Sequence, residues 1–119
     1  MEFRRVLFRS TAILLPLGDV FHADDQSNMT PAHKNQLDVD TRWVKVLRIG
    51  IKTFRHAIIR ALEKHEKVIV RFVKGNHDPH AIWGLACSID AYFDSEPRVT
   101  VDLSASEFWF YRFGKVLIG

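Results

Sequence analysis

Apolar positions along this chain follow two rhythms: short continuous runs, and one long stretch in which they recur at three- and four-residue steps. Thr11 to Leu17 is the first short run. It is ended by Gly18 and predicts a buried strand. Pro16 inside it favours a strand end or an edge, because proline has no amide to give to a ladder. Ala23 to Asn35 carries Asp24, Asp25, Ser27, Asn28, Thr30 and Pro31 and reads as a loop long enough to be functional. Trp43, Leu47, Ile51, Phe54, Ile58 and Leu62 then form one stripe of a helix expected from about Asp40 to Glu66. Asp38 and Asp40 suit its start, and Lys64 and His65 its end, as the helix dipole prefers. Gly50 weakens this helix by about 1 kcal/mol relative to alanine, which the apolar stripe absorbs.

Val68 to Val73 is the next strand. A second helix is expected from Pro79 to about Phe93, with Asp78 as its N-cap and Ile82, Leu85, Ala86 and Ile89 on its buried side. After a turn at 94–97, Val99 to Leu103 alternates as a strand. Glu107 to Phe113 and Lys115 to Ile118 read as a last strand or a hairpin hinged at Gly114. The order βαβαβ(β) predicts an α/β fold, one half of a layered sandwich.

Composition narrows the class without naming a function. With 119 residues, 47% apolar and 26% charged, the chain is one domain at most. Its single cysteine, Cys87, excludes an intramolecular disulfide and a cysteine-rich zinc site, and its apolar context predicts a buried, inert thiol. No apolar run approaches the roughly 18 residues of a membrane helix, so a soluble, cytoplasmic protein without a membrane partner is expected. The formal charge is +3, but Met1 to Ser10 supplies +2 of it through Arg4, Arg5 and Arg9 against Glu2. That decapeptide fits no element well and reads as a non-native leader, with residues 11–119 as the domain proper. A signal peptide is the other reading of it, weakened by the lack of a small-residue cleavage site.

Two polar clusters carry the candidate chemistry. Gly18-Asp19-Val20-Phe21-His22 follows the first strand, and Gly75-Asn76-His77-Asp78 follows the second. Open α/β sheets bind ligands at the carboxyl ends of their strands. Asp19 can bridge two cations, one on each oxygen, and the glycine before it allows a tight turn. Asn76 offers a neutral hard oxygen. His77 is suited to proton transfer near neutral pH, its ordinary pKa being about 6.5. The plainer alternatives are an aspartate capping a turn and a polar turn capping a helix.

The pair, in this order, resembles the calcineurin-like metallophosphoesterases, whose chains carry a Gly-Asp motif followed by Gly-Asn-His-Asp/Glu. The Gly-Asp-x-Phe-His run at residues 18–22 resembles their DNA-repair nuclease branch. The resemblance implies a partial α/β/β/α layered sandwich and a metal-dependent phosphoester hydrolase. Two divalent metal ions, manganese foremost with iron or zinc as alternatives, would activate a bridging water for in-line attack on a phosphodiester or phosphomonoester. By the same resemblance Asp19 and Asn76 are metal ligands. His77 stabilises the leaving group, Asp78 fixes its tautomer, and His22 reaches the substrate backbone. Asp24 and Asp25 can assist metals but read better as a solvated acidic loop, and His80 is a weak candidate near the site.

The resemblance covers about residues 12–119 and only the middle of the motif set. No Asp-x-His precedes Gly18, and no histidine follows His80. The expectation is a partial domain, truncated at both ends, that binds Mn²⁺ weakly and turns over poorly alone. The rival expectation is a non-catalytic α/β module in which the basic helix, bearing Lys45, Arg48, Lys52 and Arg55, binds nucleic acid or a protein. A solvated helix face is the plainer account of those cations.

Overall fold

The computed structural model describes residues 8–39 and 42–119. Three parallel strands form the main sheet in the order β1 (Phe8–Leu14), β2 (His65–Val70), β3 (Val99–Val101). Two helices connect them, α1 (Trp43–Leu62) and α2 (Ala81–Tyr92), and a separate antiparallel hairpin follows, β4 (Tyr111–Phe113) with β5 (Val116–Ile118). The predicted α/β class and element order hold. What the described residues show is one parallel sheet and two helices that touch each other, together with the hairpin.

The core explains why these residues form these layers. Val68 and Val70 of β2 point to one face and are fully buried there, as period-two alternation requires. Ile58 from α1 and Ile82, Leu85 and Ile89 from α2 pack into the same cluster. The predicted α1 stripe is the one used: Trp43, Leu47, Ile51, Phe54 and Leu62 all lie against this core. Among the described residues, no helix is long and apolar enough to cross a membrane.

Several boundaries differ from expectation for identifiable reasons. β1 begins at Phe8 rather than Thr11, because the segment pairs with the start of β2 through Phe8 opposite His65. Residues 8–10 therefore belong to an element, whereas 1–7 lie outside the described residues. α1 starts at Trp43 with Arg42 as N-cap and no side-chain cap. Asp38 does not serve it, and Asp40 lies outside the described residues. At the other end His65 opens β2 instead of closing α1. Arg98 enforces this, donating to the carbonyls of Leu62, His65 and Glu66 and so satisfying the end of the helix and the start of the strand together. Cys87 is exposed, not buried, since α2 turns Ala81, Ile82, Leu85, Ala86 and Ile89 inward.

Candidate functional site

Parallel pairing brings the two polar clusters side by side. Beyond the regular ends of β1 and β2, Arg71 donates its amide to Leu14 (3.0 Å), Val73 donates to Pro16 (3.0 Å), and Leu17 bridges Val73. The chains thus run in register until both turn, one at Gly18 and the other at Gly75. Pro16 falls where only its carbonyl is needed.

The two turns then meet backbone to backbone. A Cβ on Gly75 would lie 2.0 Å from Asp19 Oδ1 and 2.3 Å from Asp19 N, and one on Gly18 would lie 3.1 Å from Gly75 Cα. Only glycine at 75 permits this approach. Gly18 (φ 94°) and Asp19 (φ 48°) are both left-handed, a conformation that costs an aspartate less than a branched residue but still costs it something. Asp19 Oδ1 accepts the amide of His77 at 3.0 Å, closing the contact across the two loops.

Beneath the loops lies Asp78, fully buried. One oxygen accepts from Phe21 N (3.0 Å) and the other from Gly75 N (2.9 Å), so a single carboxylate holds both turns. The expected roles of Asp78 are corrected accordingly. Its side chain does not cap α2, and it does not orient His77. His77 Nδ1 lies 2.9 Å from the carbonyl oxygen of His22. A carbonyl oxygen only accepts, so Nδ1 carries the proton in this contact and Nε2 is the nitrogen left outside it. The His22 and His77 rings sit 5.3 Å apart, centroid to centroid, with planes tilted by 32°.

Phe21 is the anchor of the first loop. Its ring packs on Gly50 of α1, where an added Cβ would lie 2.6 Å from it. The glycine that weakens the helix locally is what admits this ring. His22, the next residue, is exposed beside it.

Asp24 is buried, in contrast to the solvated acidic loop or metal assistant expected. Its Oδ1 accepts from His80 N (2.8 Å) and Ala81 N (2.6 Å), and its Oδ2 meets His80 Nδ1 at 2.5 Å. Asp24 is thus the side chain that caps α2, from a loop 57 residues away. Asp25 remains exposed, its carboxyl held below the usual range by the Ser27 hydroxyl and amide.

The site therefore presents Asp19, Asn76, His77 and His22 at one sheet edge. Asp19, Asn76 and His22 are exposed and His77 is half-buried. Asn76 is bracketed by its neighbours' contacts with Asp19. Among the described residues, no group of three or more His, Cys, Asp or Glu side chains could hold a metal ion. Asp19 and Asn76 by themselves do not make a two-metal centre. Arg71 and Arg98 were missed as organisers by sequence reasoning. The signal for Arg71 was present: a cation inside the apolar run Val68–Val73 must find partners if buried. No family model, curated protein or solved structure matches this chain.

Proposed function

We propose that this chain carries part of the active site of a metal-dependent phosphoester hydrolase. The observation that supports it is the meeting of the Gly18–His22 and Gly75–Asp78 turns at the carboxyl ends of adjacent parallel strands. On this reading Asp19 and Asn76 are the chain's contribution to metal binding. Further ligands, beyond those the described residues offer, are needed for a complete centre. His77, with Nδ1–H spent on the His22 carbonyl, holds or moves a proton at Nε2 against the phosphoryl or leaving oxygen. His22 lies beside it, within reach of the same substrate. Asp78 is a positioning residue that acts through the two backbones it ties. The reading extends the fold to one half of an α/β/β/α sandwich, with a second sheet stacking on the side of the main sheet away from the two helices.

The strained Asp19 adds weight, since left-handed non-glycine residues persist where surrounding structure over-determines them, often at sites. The test is Mn²⁺ titration of the chain followed by NMR. Selective broadening of the His22 and His77 ring signals and the Asn76 side-chain amide is expected at millimolar Mn²⁺, and its loss in Asp19→Ala. Broadening confined to the Asp24–Asp25 loop, or unchanged in Asp19→Ala, refutes the assignment. Tight binding of two ions per chain, with phosphodiester turnover lost in Asp19→Ala, would instead show that the described residues suffice.

A further inference from the structure

The solvent face of α1 carries charge of one sign only. Between Trp43 and Leu62 the helix holds Lys45, Arg48, Lys52, Arg55 and Arg60 and no aspartate or glutamate. Solvated helix faces ordinarily mix signs, because opposite charges four residues apart stabilise a helix and like charges destabilise it. A one-signed face is therefore a cost to the helix that packing does not require.

Two of the five cations are engaged: Arg60 pairs with Glu63 at 2.8 Å, and Arg55 lies over the Tyr92 ring at 4.9 Å. Lys45, Arg48 and Lys52 make no ion pair among the described residues. Their spacing of three and four residues places them one above the other on the side away from Leu47, Gly50 and Phe54, the positions turned to the core and to Phe21. One turn rises about 5.4 Å, so the three cations form a continuous line of positive charge along the helix.

The stripe also has a mouth. A groove of about 580 Å³ lies between the first turns of α1 and the 26–28 loop, lined by Gln26, Asn28, Arg42, Trp43, Lys45 and Arg48. It combines cations, side-chain amides and the flank of an indole, the set that single-strand grooves use for phosphates and base faces. We infer that this groove and the Lys45–Arg48–Lys52 stripe bind a single strand of nucleic acid through its phosphates. An anionic lipid surface fits less well, since the apolar face of α1 is already packed on the sheet and the exposed Val44, Ile49 and Ile59 are scattered rather than gathered. The inference stands apart from the hydrolase reading, because it needs no metal.

Fluorescence anisotropy with a labelled 15-nucleotide oligothymidine, in EDTA, tests it. Three to four neutralised phosphates give a log–log salt slope of about −2 to −3, so binding should weaken roughly 20- to 50-fold between 50 and 200 mM salt. The triple variant Lys45→Glu/Arg48→Glu/Lys52→Glu should bind at least tenfold more weakly at 50 mM salt. Lys52→Gln alone, which leaves the fold untouched, should lower the slope by about 0.7. Salt-independent binding, an unchanged slope in Lys52→Gln, or equal affinity for polyglutamate or phosphatidylserine vesicles would overturn it. Oligonucleotide binding that survives EDTA while Mn²⁺ fails at Asp19 would discard the hydrolase reading alone. The reverse pattern would discard this one.

Discussion

The paired turns at Gly18 and Gly75 and the segment from Asp102 onward are both irregular backbone held by one buried charge, of opposite sign in the two places. Asp78, an anion, gathers the amides of Phe21 and Gly75. Arg71, a cation with its side chain 5% exposed, gathers oxygens: the Asp102 carboxylate, the carbonyl and hydroxyl of Ser104 (2.7 and 3.0 Å), and the carbonyl of Ser106 (2.6 Å). Backbone that leaves regular structure loses its ladder partners, and one buried charge replaces several at once. What the two regions turn outward differs. The first exposes Asp19, Asn76 and His22, whereas the second exposes Phe108, Phe110, Val116 and Leu117. A shared anchoring device thus supports a polar site in one place and an apolar surface in the other.

Breaking the anchors should separate the two regions, and the largest effect is expected at the turns. Gly75→Ala places a methyl within the Asp19 backbone, and Asp78→Ala leaves two amides without acceptors, at about 1–3 kcal/mol each. Each variant should lose about 3 kcal/mol in urea unfolding; a loss below 1 kcal/mol would mean the turns relax independently.

Arg71→Met should cost less, about 2 kcal/mol, because it removes a buried cation along with its bonds. Its signature is local: Trp109, whose indole donates to Asp102 Oδ2 at 2.8 Å, should emit at longer wavelength while the Phe21 amide keeps its exchange protection. Loss of protection at Phe21 would show the two anchors to be coupled.

The smallest effect is acid titration of the second anchor. Burial pushes the Asp102 carboxyl up, but the Ser104 amide and hydroxyl, the Trp109 indole and Arg71 together hold it below its ordinary 3.8. A depressed carboxyl contributes stability above its unfolded pKa and loses that contribution as pH falls through the folded value. Trp109 emission should therefore shift only below pH 3.8, and the same shift should be absent in Asp102→Asn.

The layout was legible where it depended on local rhythm. Two continuous apolar runs, one alternating run and helical spacing placed the three sheet strands and two helices of the described residues to within a few residues, and Gly114 (φ 60°) marks the hairpin turn. The destinations of individual polar side chains were not legible. Asp78 was expected on its own helix and instead reaches a backbone 57 residues earlier; Asp24 was expected in solvent and caps α2. Arg98 ends α1 from beyond β2. Each of these choices is made by tertiary geometry, where a carboxylate or guanidinium goes to whichever orphaned backbone group lies nearest, and sequence spacing carries no record of that. Cys87 failed for a related reason: apolar neighbours in sequence do not share its helix face.

The bond from Phe21 to Asp78 spans an entire β-α-β crossover. No peptide containing only one of the two motifs can form it, and a growing chain cannot form it until the second turn has been made. Assembly of these turns therefore requires β1, α1 and β2 to be in place together, the docking of α1 closing the loop between the two motifs. Hydrogen exchange at the Phe21 amide should then proceed at the rate set by opening of the whole β1–α1–β2 unit, making that one proton a reporter of global folding rather than of loop motion.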